Sequence, residues 1–211
     1  MIAWAPTFQF ILLLITANIL GQVNQPQFEC SGRSGANIDQ IKDLLKRVNS
    51  FSARFEQISY SAIASDIDFG DGELFAAKPR NIRVNYSNPS GNVYIFSGDR
   101  AVFENTETGE REYFRVEKAD LERLPVSFLV DGKVQDGVRF DGSCENVDGV
   151  LFNFVKEAEG SKEFELRILT DKNISTLKGI QFKDFGGAVN SFLFSSFRLN
   201  PDIPADFFKI R

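Results

Sequence analysis

The sequence predicts a mainly β protein with α cover, in which an antiparallel sheet of about ten strands has its apolar face closed over by a few helices. Three observations predict it. From residue 50 onward, apolar and polar residues alternate in runs separated by Gly, Asn, Asp and Pro turns. One stretch, residues 37–48, carries clear helical spacing instead. The 211-residue chain holds 22 Phe and no His, and its single Trp and single Met are Trp4 and Met1. Large apolar surface is thus concentrated in one rigid side chain, as in a Phe-rich core.

The elements follow in order. Residues 1–21 contain the apolar run Phe10–Leu20, too short to cross a bilayer, which takes ~20 residues. It reads as a secretory signal peptide, with an uncleaved amphipathic anchor as the alternative. Residues 22–36 form an N-terminal extension, and 37–211 a single domain. In the helix, Asn37 and Gln40 have the spacing of a capping box. Ile38, Ile41, Leu44, Leu45 and Val48 share one face, and Lys46 and Arg47 sit near the end that favours cations.

Strand patterns begin at Phe51-Ser-Ala-Arg-Phe55. The next run carries Gly70 and Gly72, and glycines inside a strand mark a bend or a close backbone approach. Ile82, Val84 and Tyr86 alternate with polar neighbours. Hairpins turn at Ser97-Gly98-Asp99 and Thr108-Gly109, and Pro125 breaks a helical insertion. Four further strands carry Phe152 and Phe154; Phe164, Leu166 and Ile168; Phe182; and Phe192 and Phe194. Asp141–Gly149, "DGSCENVDG", reads as a loop.

The net charge of −5 is spread without a basic run, so nothing resembles a nucleic-acid footprint. Without His there is no Ser-His-Asp or Cys-His arrangement and no His metal site. Ser175–Lys178 matches S-x-x-K but lies in a strand pattern without its partner motifs. The stretch "DIDFGDGE" misplaces two positions of a calcium loop. No enzyme activity, metal or cofactor is expected. Cys30 and Cys144 make an even count for an oxidising compartment. Paired, they would stabilise the fold by roughly 4–5 kcal/mol in the chain-entropy model, less any strain; the alternative is two separate thiols.

The order of motifs resembles the LolA family, the periplasmic carriers of outer-membrane lipoproteins. A helix is followed by Phe51-x-Ala53-x-Phe55-x-Gln57, then Gly70-x-Gly72-Glu73-Leu74, Lys78-Pro79, Ser97-Gly98-Asp99 and a final Phe207-Phe208. The resemblance spans residues 37–210. It implies an unclosed antiparallel β-barrel of about eleven strands, capped by helices, with an apolar space between. Burying one acyl chain of ~16 carbons there would be worth on the order of 13 kcal/mol, at ~0.8 kcal/mol per CH₂.

The lining expected from the resemblance and the alternation is Phe51, Phe55, Leu74, Ile82, Val84, Tyr86, Phe96, Phe103, Phe128, Leu129, Phe152, Phe154, Phe164, Leu166, Ile168, Phe182, Phe192 and Phe194, some of which must be plain core. Lys78 stands where the family places a basic residue, more usually Arg, that latches the helical lid through backbone carbonyls. Implied partners are lipoprotein acyl chains, an inner-membrane lipoprotein-releasing ABC transporter, and an outer-membrane receptor or the outer membrane. The expected protein is a periplasmic monomer without a nucleic-acid partner. The alternative function is a lipid-sensing or outer-membrane receptor module of the same fold.

Overall fold

The computed structural model of the protein describes residues 28–61, 66–116, 137–158, 161–183 and 188–210. The leader, residues 22–27, and the insertion that carries Phe128 and Leu129 lie outside the described residues.

The chain enters through a two-residue strand, β1 (Gly32–Arg33), and a helix, α1 (Ile38–Arg47). The Asn37 side chain accepts the Asp39 and Gln40 backbone N–H at 3.0 and 3.3 Å. The Gln40 side chain accepts the Asn37 N–H at 2.9 Å, completing the capping box. Ile41, Leu44 and Leu45, spaced for one face, are fully buried against the sheet.

Eleven longer strands follow: β2 (Ser50–Ser61), β3 (Asp66–Ala77), β4 (Asn81–Asn88), β5 (Asn92–Ser97), β6 (Arg100–Asn105), β7 (Glu110–Arg115), β8 (Arg139–Asn146), β9 (Gly149–Ala158), β10 (Ser161–Thr170), β11 (Leu177–Lys183) and β12 (Val189–Leu199). A 3-10 turn covers Ala205–Phe208. The strands form one sheet in the order β1-β8-β9-β10-β11-β12-β2-β3-β4-β5-β6-β7. Two meanders are therefore joined by antiparallel pairing of β12 with β2. Strands β1 and β7 stay at the edges, so this mainly antiparallel β fold is an unclosed barrel covered by a helix. Among the described residues the sheet has twelve strands, the two-residue β1 from the N-terminal extension adding to the edge beside eleven longer ones.

One reading changes. The polar stretch after Asp141 is not a loop: it continues strand β8 as far as Asn146. Pairing on both sides, with β1 and with β9, holds it extended, and a bulge between Phe140 and Gly142 absorbs its glycine at φ 126°.

The register sorts side chains onto two faces. The inner face, turned toward α1, holds the main core, which runs from Phe152 and Phe154 on β9 to Ile82 on β4. The outer face has two smaller apolar patches. Phe28 packs with Cys144, Leu151 and Leu169 under the N-terminal segment. Val93, Ile95 and Val102 pack under Ile210 near the C-terminus. There Phe207 meets Phe75 at 4.8 Å between ring centroids, and the Arg83 guanidinium lies 4.7 Å over the Phe207 ring. Among the described residues, no helix is long and apolar enough to cross a membrane.

Candidate functional site

Every described residue of the expected lining lies on the inner face, but in two different environments. Phe51, Phe55, Leu74, Ile82, Phe152, Phe154, Phe164, Leu166, Ile168 and Phe194 are buried, most of them nearly completely, in the core that α1 closes. Val84, Tyr86, Phe96, Phe182 and Phe192 pack against that core and remain only half-buried. Phe103 is half-buried beyond them, tilted against Tyr94 with ring centroids 5.0 Å apart. The first group reads as core, and the second forms the accessible apolar surface. Tyr94, Phe140 and Phe197 belong to the same face, although alternation did not single them out.

A row of rings crosses this surface. Phe182 stacks on Phe192 at 6.2 Å, Phe192 meets Phe55 at 5.5 Å, and Phe55 meets Tyr86 edge-on at 5.3 Å. Tyr86 then meets Tyr94 at 5.9 Å, and Tyr94 meets Phe103. The row spans the sheet from β11 to β6. At ~4.8 Å per strand spacing, that is roughly 29 Å. One acyl chain reaches about half of a bilayer's ~30 Å hydrocarbon core, so the row is long enough to hold one.

Gly72 makes the row continuous. It stands between Phe55 and Tyr86 in the ladder. A Cβ there would lie 2.9 Å from the Tyr86 Cα and collide with the Asn85 carbonyl. Without it, β4 closes on β3 at a bulge and the two rings touch across the gap. A Cβ at Gly70 would stand 3.2 Å from the Tyr86 ring, so this glycine leaves the ring its space.

Polar groups flank the row along one side, from Asn190 beside Phe182 to Tyr86. Tyr86 Oη donates to Gln57 Oε1 at 2.6 Å, Gln57 Nε2 to Ser59 Oγ at 2.9 Å, and Ser59 Oγ to Asn190 Oδ1 at 2.7 Å. Burial, and after it the neighbouring Tyr94, pushes the Tyr86 phenol above its ordinary pKa, so it stays a neutral donor. Across the ladder from Ser59 stands Asp68. Burial, and after it the Asp66 charge, holds its carboxyl above the usual carboxylate range.

Lys78, at the end of the β3–β4 hairpin, reaches α1: its Nζ donates to the Leu45 carbonyl at 3.4 Å. Cys30 and Cys144 are joined in a disulfide with Cα atoms 5.6 Å apart, which fastens the N-terminal segment to β8. Beside it a cleft of 480 Å³ opens against the outer face, with Glu29, Asp141, Asn153, Glu165 and Arg167 among its walls. Its charged rim makes it a poor host for hydrocarbon, unlike the ring-lined inner face.

Comparison with known proteins places this geometry. Solved structures share the fold at low identity. A conserved protein of unknown role from Thermus thermophilus is 15% identical with a TM-score of 0.51, over 82% of this chain and 91% of its own. A LolA superfamily protein from Nitrosomonas europaea is 10% identical with a TM-score of 0.50, over 83% and 99%. A DUF1329 family protein from Desulfovibrio piger is 9% identical with a TM-score of 0.52, over 81% and 95%. Among curated proteins none matches the sequence. The model of the outer membrane lipoprotein carrier protein LolA matches residues 46–211, from the end of α1 through the whole run of long strands, and the chain belongs to that family.

Proposed function

We propose that the protein is a lipoprotein carrier. It takes the acyl chains of a lipoprotein onto the inner face of the sheet and shields them from water between the two membranes. Cargo comes from an inner-membrane lipoprotein-releasing ABC transporter and goes to an outer-membrane receptor or to the outer membrane itself. The protein works in the periplasm as a monomer, and it is a binding protein rather than an enzyme. Transfer runs down a gradient of affinity, and movement of α1 away from the sheet is the gate.

The observation that carries this reading is the row Phe182–Phe192–Phe55–Tyr86–Tyr94–Phe103, in which every ring except the buried Phe55 is only half-buried. A purely structural core would bury such rings completely, as it does Phe152 and Phe154. Sequestering a chain of ~16 carbons is worth on the order of 13 kcal/mol. That drives uptake without chemistry.

The test is native purification followed by organic extraction and mass spectrometry, together with release of lipoprotein from inner-membrane vesicles. Bound acyl lipid and release activity are expected. Absence of both would overturn the carrier reading.

A further inference from the structure

The polar chain Tyr86–Gln57–Ser59–Asn190 is out of place on an apolar face unless it serves something. Its hydrogen bonds all run one way, from Tyr86 toward Asn190. Each oxygen along the chain already accepts from the previous residue, so the spare hydrogens collect toward the Asn190 end. Among the described residues, the Asn190 amide nitrogen has no acceptor for either hydrogen, and the Gln57 nitrogen keeps one. All four side chains are half-buried, within reach of a ligand. None of the four is charged, and the carboxylate of Asp68 stands across the ladder from Ser59. On either side of Gln57 the ladder places Phe192 and the bare backbone of Gly70.

Uncharged donors with no acceptor among the described residues, set alongside an apolar row, match a group that only accepts and carries no charge. A free carboxylate or a phosphate fits poorly, because it would face Asp68 with no cation among these four residues. Resting on the carrier reading above, we infer that Gln57 and Asn190 form a subsite for the ester carbonyl oxygens of an acyl-glycerol lipid, with its chains laid along the rings. The ester-linked glycerol occurs both in a lipidated protein N-terminus and in a phospholipid.

The experiment competes four synthetic ligands against a fluorescent apolar probe bound to the mature protein. They are a dipalmitoylglyceryl lipopeptide, a dipalmitoyl phospholipid, and the dialkyl ether analogue of each. Ethers keep the chains and lose the carbonyl oxygens. The wild-type protein should bind the ester forms ~10-fold more tightly than the ethers, as one or two neutral hydrogen bonds would give. The head group that binds better identifies the source. Asn190→Asp keeps the acceptor for Ser59 and removes both donors, and Asn190→Leu removes the amide altogether. Each should abolish the ester preference by bringing ester affinity down to that of the matching ether, with folding checked by circular dichroism. Equal affinity of wild type for ester and ether overturns the subsite while leaving the hydrocarbon row intact. A preference that survives in both variants overturns the assignment to Asn190. If none of the four ligands displaces the probe, the carrier reading itself fails and the subsite with it.

Discussion

Phe55 and Tyr86 are two strands apart in the sheet, yet their rings meet edge-on at 5.3 Å because Gly72 stands between them. The contact joins the rings of β11, β12 and β2 to those of β4, β5 and β6. One missing Cβ thus turns two apolar patches into a single surface.

Gly72→Ala should therefore be costly. The new methyl group would meet backbone on β4, which cannot swing aside as a side chain can. A loss of about 2–4 kcal/mol is expected, as for other changes that force backbone apart. At about 2–4 °C per kcal/mol the melting temperature should fall by roughly 5–15 °C. Gly70→Ala faces 3.2 Å approaches to the Asn88 carbonyl and the Tyr86 ring, looser than the contacts at Gly72, and should cost clearly less. Thermal melts of the two variants check the order.

The two environments on the inner face should separate by mutation. Phe152 is fully buried, and Phe152→Ala should destabilise the fold by about 3–5 kcal/mol. Phe103 is half-buried at the end of the ring row, so Phe103→Ala should cost much less stability but weaken acyl-chain binding. Urea denaturation beside probe titration measures both. Equal stability losses for the two variants would contradict the division.

Lys78 places a cation on a carbonyl of the last turn of α1. Lys78→Met should weaken the hold on the helix by about 0.3–1 kcal/mol, the range for a cation at a helix C-terminus. Hydrogen exchange of residues 41–48 should quicken severalfold, with the sheet unaffected. Lys78→Arg should restore protection through its additional donors. If exchange in α1 is the same in all three proteins, Lys78 is not the latch.

Asp171 organises the β10–β11 turn, accepting from the Ser175 hydroxyl and N–H at 2.6 Å and from the Thr176 N–H at 3.0 Å. Burial alone would raise its pKa. The hydrogen bonds from Ser175 and Thr176, with the Lys178 charge, outweigh that and hold it below the ordinary value. A carboxyl lowered in the folded state contributes stability above its unfolded pKa of ~3.9 and loses it as pH falls through the folded value. Asp171→Asn should therefore be less stable than the parent at pH 6, and the gap should close on acidification below pH ~4. Urea midpoints across that range measure it; a gap that widens with acid would reverse the sign.

Much of the sheet was legible because alternation fixes which residues share a face. The runs around Phe55, Ile82 and Leu166 announced their strands, and Asn37 with Gln40 announced the helix start. Strand β5 was harder: in Asn92–Ser97, Val93 and Ile95 face outward under the C-terminal segment while Tyr94 and Phe96 face inward. Both faces are apolar there, so the period alone could not place Tyr94 in the row. Strand β8 was hidden for the opposite reason, since its polar sequence is held extended by pairing with β9 in the following hairpin and with β1, remote in the chain. The polar chain to Asn190 joins residues more than a hundred positions apart, and only the pairing of β12 with β2 brings them together. Exposure separated core from accessible surface within the expected lining, which no spacing rule could do.

The most direct measurement is a set of intermolecular nuclear Overhauser effects between a bound palmitoyl chain and the aromatic rings of the protein. Contacts from the chain methylenes to Tyr86, Tyr94, Phe103 and Phe192 are expected, with none to Phe75 or Phe207 on the outer face. Contacts confined to the outer rings or to Phe28, or none at all with the chain bound, would contradict an acyl-binding inner face.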